Sequence, residues 1–189
     1  MPNTLTPDLK GLIYHIVVHN SEDAYKKLFG LLFNPLFRFS FCMLKSREQA
    51  EEVASDVMFR LWQNRAELMQ IENLQVYAFV IARNMSLNIL RTNSRARVIS
   101  LDEIKLELNL DTLSPEQILI NSQNKAKLES SIQSLPTRCK LVFKLIKEEG
   151  LSYKEVAEIL SISPKTVDAH LVTAMKKLTE ALKLKLDRA

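Results

Sequence analysis

Only three glycines, Gly11, Gly30 and Gly150, punctuate 189 residues. Tight hairpins and phosphate-cradling loops both need residues with positive φ, which glycine supplies most cheaply. A chain this poor in glycine and rich in Leu, Lys, Glu and Ala is therefore predicted to be all-α. Apolar residues make up 47% of it, enough for a packed core.

Capping signals divide the chain. Ser21 precedes Glu22 and Asp23 at the start of one helix. Ser46 stands three residues before Gln49, a capping-box spacing, and opens another. That second helix carries Ala50, Val53, Ala54, Val57 and Leu61 at core-facing spacing. A polar stretch over 64–75 interrupts the pattern, and a strong helix is predicted from about Val76 to Arg91. Residues 92–113 carry no clean period and read as a linker. Ser114, Pro115 and Gln117 then restart helix, with three further helices expected over about 137–148, 152–160 and 164–184.

Charge follows the same division. Residues 1–97 hold 12 basic and 9 acidic side chains, residues 98–133 hold 3 and 6, and residues 134–189 hold 11 and 7. Two basic blocks separated by an acidic stretch suit two modules acting on one polyanion. The expected architecture is two small helical domains, 1–97 and 134–189, joined by a linker with the start of a helix over 98–133.

The most informative segment is 148–178. Gly150 can end one helix in a left-handed conformation, and Ser152 with Glu155 forms a capping box for the next. After the short turn Ser161-Ile162-Ser163, Pro164 takes the first position of a third helix. On a helical wheel, Val167, Leu171, Ala174 and Leu178 form its buried stripe. Lys165, Thr166, Ala169, Val172, Thr173, Lys176 and Lys177 cover the other side. Small polar and methyl-bearing side chains reach base edges while lysines neutralise phosphates, so this is the layout of a recognition helix in a helix-turn-helix.

Two further surfaces stand out. Glu48, Glu51, Glu52, Ser55 and Asp56 line one helix face beside the apolar stripe, and an acidic face on a basic protein points to a positively charged protein partner. Tyr77, Asn84, Asn88 and Arg91 share a polar strip on the next helix, with Arg83 elsewhere on the wheel. Asn can bond base edges, Arg can hold phosphate or guanine, and Tyr can stack on an unpaired base. Arg91, Arg95 and Arg97 form a basic cluster leaving the domain.

These blocks resemble the extracytoplasmic-function (ECF) sigma factors. Leu135-Pro136-x-Arg138, residues 151–160 and residues 162–167 resemble domain four of that family. Ala50-Glu51-Glu52-Val53 through Phe59-x-Leu61-Trp62, then Tyr77-x-Phe79-x-Ile81-Ala82-Arg83-Asn84 through Asn88-x-x-Arg91, resemble domain two. The helix-turn-helix alone also resembles LuxR-type regulators, which bind DNA without polymerase core. The ECF resemblance implies a sigma factor that binds the clamp and flap of core RNA polymerase and directs promoter-specific initiation. Glu48, Glu51, Glu52 and Asp56 would contact polymerase. Tyr77, Arg83, Asn84, Asn88 and Arg91 would engage the −10 element, with a pocket for a flipped base in the loop at about 70–75. Lys165, Thr166, Ala169, Val172, Thr173, Lys176 and Lys177 would read the −35 element. It also implies an anti-sigma partner and a linker threading toward the polymerase active-site path. Two departures are visible: Ser161 where the family has glycine, and Asp168, Ala169 and Thr173 where it often has basic residues.

Enzyme motifs are missing: no glycine-rich phosphate loop, nucleophile elbow or paired catalytic carboxylates. His15 and His19 have a metal-ligand spacing but no companion ligands in sequence, so no metal and no cofactor are expected. Cys42 and Cys139 read as reduced, buried thiols. The N-terminus lacks a signal peptide's basic start and apolar run, and no membrane insertion is expected, which suits the cytoplasm.

Overall fold

The computed structural model describes residues 9–96 and 129–186, and among these the regular structure is helical throughout. In the N-terminal half, α1 spans Leu9–His19, α2 Glu22–Leu44, α3 Arg47–Gln63 and α4 Leu74–Ala96, with a 3-10 helix at Arg65–Gln70 between α3 and α4. In the C-terminal half, α5 spans Thr137–Lys147, α6 Tyr153–Leu160 and α7 Pro164–Leu186. A helical turn over 129–133 precedes α5. The predicted helix start at Ser114 and nearly all of the predicted linker lie outside the described residues.

The caps act where the side-chain chemistry places them. Ser21 Oγ accepts from the Ala24 amide at 3.2 Å, and Ser46 Oγ accepts from the Gln49 amide at 3.3 Å. α2 closes on Lys45, which takes a left-handed conformation at φ 59° and donates its amide to the Phe41 carbonyl. Pro35 sits inside α2, where it removes one helical hydrogen bond without ending the helix.

Two boundaries differ from the sequence expectation. α4 begins at Leu74 because Asn73 caps it, its Oδ1 accepting the Val76 amide at 3.1 Å. α4 also runs to Ala96 rather than stopping near Arg91. No glycine or proline stands in 92–96 to halt it, and the Thr92 hydroxyl donates back to the Asn88 carbonyl at 3.0 Å, a bond compatible with helix.

In the N-terminal half, α2 packs against α3 and α4, which bury Leu28, Leu36, Val53, Val57, Met58, Leu61 and Phe79. Phe39 meets Phe79 edge-on at 5.2 Å. By length and composition α2 could cross a membrane, but here it supplies eight buried residues to this helical core. Trp62 is held between Tyr25, at 4.8 Å, and the Arg65 guanidinium, 4.6 Å above its ring. The Tyr25 hydroxyl donates to the Met58 carbonyl, and burial pushes its pKa up.

The C-terminal half has a small core of its own, Leu135, Cys139, Ala174 and Leu178, with Ile132 and Phe143 packed on it. The rest of its apolar surface is continuous with the N-terminal core: Val142, Leu145, Val156, Ile159, Val167 and Leu171 belong to the same cluster as Leu36 and Phe79. α6 lies on α4, and α5 lies on α2. Both cysteines are free and buried, as expected from the sequence.

Candidate nucleic-acid and protein interfaces

The reading helix is built from its N-terminus outward. Ser152 and Glu155 close a full capping box at the start of α6: Glu155 N donates to Ser152 Oγ at 3.3 Å, and Ser152 N donates to Glu155 Oε2 at 2.7 Å. Gly150 before it has φ 72°, the left-handed conformation expected at a helix exit. α6 ends at Ser161, with φ 50° and ψ 53°. A serine therefore occupies a conformation that glycine adopts without the Cβ clash, at a cost of about 1 kcal/mol. The turn is fixed by the Ile162 amide donating to the Ala157 carbonyl at 3.0 Å. Ser163 Oγ then accepts the Thr166 amide at 3.1 Å and starts α7.

α7 presents the face its periodicity requires. Val167, Leu171, Ala174 and Leu178 are buried. Lys165, Ala169, Val172, Thr173, Lys176 and Lys177 are exposed, Val172 by 60%. Thr166 is half-buried, and its hydroxyl lies 2.8 Å from Ser163 Oγ, so it serves the cap as well as the face. The Thr173 hydroxyl donates to the Ala169 carbonyl at 2.8 Å, leaving its oxygen lone pairs as the outward function. Behind the helix, Cys139 Sγ lies 3.7 Å from His170 Nδ1 and ties α5 to α7.

On α4, Tyr77, Asn84, Asn88 and Arg91 are exposed along one strip, Tyr77 by 39%. Arg83 is half-buried and donates to Asn84 Oδ1 at 3.3 Å. The structure thus joins Arg83 to the strip that the wheel alone separates it from. The strip is narrow because α4 is covered on two sides, by α2 and α3 through Phe79 and Ala82 and by α6.

On α3, Glu48, Glu51, Glu52, Ser55 and Asp56 are all exposed. Arg47 pairs with Glu51 at 2.9 Å. The sequence reading named Phe59 in the domain-two resemblance but did not assign it to this face. Phe59 follows Ser55 by four positions and Asp56 by three, so it sits within the acidic stripe rather than on the buried one. It is 57% exposed. The signal was present in the register: Phe59 is out of phase with Val53, Val57 and Leu61.

His15 and His19 lie with their ring centroids 5.4 Å apart, and Tyr14 packs edge-on against both. Among the described residues no three His, Cys, Asp or Glu side chains gather into a metal-binding group.

Taken together, these features define an all-helical protein with a helix-turn-helix in one half and, in the other, an exposed polar strip and an acidic face. Comparison with known proteins makes the class specific. Residues 24–96 match Sigma-70 region 2, and residues 125–178 match Sigma-70, region 4. The chain is 24% identical over 147 residues to the ECF RNA polymerase sigma factor SigE of Mycolicibacterium smegmatis, covering 78% of this chain and 57% of SigE. It is 20% identical over 174 residues to the ECF RNA polymerase sigma factor SigW of Bacillus subtilis, covering 88% of this chain and 93% of SigW. The fold is similar to that of the sigma factor RpoE of Bartonella quintana, solved in complex with the anti-sigma factor NepR. That match has a TM-score of 0.59 at 21% identity and covers 84% of this chain and 96% of RpoE. The chain belongs to the sigma-70 family of RNA polymerase sigma factors, within its ECF group.

Proposed function

We infer that this chain binds core RNA polymerase and carries it to promoters, with the N-terminal half engaging the −10 element and the C-terminal half reading the −35 element. The observation that carries this reading is the exposed acidic face of α3, which Phe59 extends at its C-terminal end. An exposed aromatic in line with a row of carboxylates has the composition of a protein interface. Glu48, Glu51, Glu52 and Asp56 are those carboxylates. A regulator that binds DNA by itself has no need of such a face, which disfavours the LuxR-like alternative.

The DNA contacts divide by chemistry. Lys165, Lys176 and Lys177 suit phosphates, and Thr166, Ala169, Val172 and Thr173 suit base edges and thymine methyls in a major groove. Tyr77, Asn84, Asn88 and Arg91 suit separated bases, which melting exposes, with Arg83 steadying Asn84. The chain is a regulatory subunit: polymerase supplies the chemistry, and this chain supplies address and strand opening. That role places it in the cytoplasm. An anti-sigma protein is a further proposed partner, by analogy with RpoE and NepR.

Run-off transcription with core polymerase, this protein and a promoter library tests the reading. Discrete promoter-dependent transcripts are expected. Active core that yields none with this protein added would overturn it.

A further inference from the structure

α7 leaves an apolar ridge in water that its core does not use. Ala169, Val172 and Met175 follow one another at i, i+3 and i+6 spacing, and all are exposed, Val172 by 60% and Met175 by 43%. Val167, Leu171, Ala174 and Leu178 meet the core on the other side of the helix. On a helical wheel Ala169 lies opposite that buried stripe, with Val172 beside it.

Cations bound this ridge at both ends. Lys165 stands four residues before Ala169 and Lys176 four after Val172, and both are exposed. They are eleven positions apart, about 16 Å along the axis, which exceeds the roughly 12 Å width of a major groove. With Ala169 and Val172 over the base edges, the two ammonium groups therefore reach the phosphate walls. An apolar ridge can also dock on protein, but cations at both ends favour a polyanion.

The hydrogen-bonding groups near the ridge are few and mostly spent. Thr166 is half-buried, with its hydroxyl 2.8 Å from Ser163 Oγ. His170 is half-buried, with Nδ1 3.7 Å from Cys139 Sγ. The Thr173 hydroxyl donates to the Ala169 carbonyl at 2.8 Å, so it offers only acceptor lone pairs outward. Asp168 is exposed at the edge of the face, about 100° round from Ala169, and its carboxylate repels phosphate. Between Lys165 and Lys176 there is no Arg, Asn, Gln or Glu to make paired hydrogen bonds with guanine or adenine.

Methyl contact is what remains for the centre of the face. In the major groove thymine alone presents a C5 methyl group, which marks a T·A pair. Thr173, as an acceptor, suits an amino edge such as adenine N6 in a neighbouring pair.

We propose that α7 reads its promoter element chiefly through thymine methyls, with Ala169 and Val172 as the specificity-determining residues, so that adjacent A·T pairs stand at the centre of the −35 element this chain selects. The proposal rests on the sigma-factor reading, which makes α7 the helix that enters that element. It turns on the part of the reading face, Ala169 and Thr173, where this chain departs from the more basic pattern of its family.

The test separates the two readings. Holoenzyme formed from the full chain and core polymerase is offered promoters randomised over the upstream element, and the transcribed ones are sequenced. Adjacent A·T pairs at fixed positions are expected. Deoxyuridine then replaces thymine at those positions in the selected promoter, which removes the methyls and leaves every hydrogen-bonding group in place. Holoenzyme affinity is expected to fall about fourfold per contacted methyl. Val172→Ala should bring the ratio of thymine to uridine affinities towards one. Lys165→Ala should weaken binding to both duplexes and leave that ratio unchanged. A selected element with G·C pairs at its centre, or equal binding of thymine and uridine duplexes, would overturn the methyl reading and leave the sigma-factor reading intact. An unchanged ratio in Val172→Ala would remove Val172 as a determinant. Absence of transcripts from active core would count against the sigma-factor reading. The thymine and uridine comparison is then made with the full chain alone, on a duplex selected from the same pool by binding. A thymine preference there would uphold the methyl reading, and equal binding or none would overturn it.

Discussion

α4 and α7 are both 23 residues long, yet they differ in how much of their surface the fold leaves free. α7 buries one stripe, Val167, Leu171, Ala174 and Leu178, flanked by half-buried Thr166 and His170, and leaves most of the rest of its described circumference in water. A helix so exposed can enter a groove as a rod, and its small side chains with flanking lysines suit an intact duplex. α4 is covered on two sides and offers only a strip. It cannot lie deep in a groove, and its tyrosine and asparagines suit bases already out of the stack. The difference lies less in composition than in how many neighbours each helix has. Burial on two faces turns a helix from a probe into a platform.

The contrast can be broken first on α3, whose exposed acidic face is the proposed polymerase contact. Glu51→Lys with Asp56→Lys reverses charge along the acidic face that Phe59 extends. Like-charge juxtaposition at an interface costs several kcal/mol, so binding to core polymerase should fall about a hundredfold or more. Gel-filtration assembly with core reads this, and circular dichroism should show unchanged helix, because both positions are exposed. Normal assembly would remove α3 from the interface.

Tyr77→Ala sharpens the comparison between the two helices. Loss of one stacking contact costs about 1–3 kcal/mol, and it should appear with bubble or single-stranded −10 templates while duplex −35 binding is unchanged. An equal loss on both templates would erase the division between platform and probe. Lys165→Ala with Lys176→Ala is the reciprocal test. Duplex affinity should drop roughly tenfold at moderate salt, and the slope of log K against log salt should fall by about 2. An unchanged slope would show that neither lysine holds a phosphate.

The smallest effect lies in the turn. Ser161→Gly relieves the Cβ from its left-handed conformation and should raise stability by about 1 kcal/mol or less in urea unfolding, because glycine also gains entropy in the unfolded chain. A destabilised variant would mean that the serine makes a compensating contact in solution.

Burial of Lys140 adds a pH dependence to the packing of α5. This lysine is 4% exposed and donates to Gln133, and desolvation, with Lys45 next, pushes its pKa down. The unfolded chain therefore binds its proton more tightly than the folded one. The charge penalty is fully present below the folded pKa and is relieved as pH rises from there to the ordinary lysine value. Stability contributed by this site should rise with pH over that window, and Lys140→Met should remove that rise in denaturation curves measured at several alkaline pH values.

Much of the molecule was legible before folding. The helix-turn-helix could be read in full because its determinants are local: a capping box at Ser152 and Glu155, an N-cap at Ser163, and a stripe at Val167, Leu171, Ala174 and Leu178. The same holds for the acidic face of α3. Even the place of Phe59 on that face and the Asn73 cap were visible in register and residue type, although neither was drawn. The end of α4 was less legible, since a run without apolar period can still be helix when no breaker is present.

Sequence by itself thus determined most of the helices, the caps at Ser21, Ser46, Ser152 and Ser163 and which faces are wet or dry, because each depends on residues within a few positions of one another. Only the tertiary structure decided how the halves meet. The Asn73–Glu155 bond joins positions 82 residues apart, and the Arg38–Glu149 bond joins positions 111 apart. Nothing in local periodicity encodes such pairings. A cap that satisfies its own helix with one oxygen still has a second polar atom to offer, and only the packed fold says where it points.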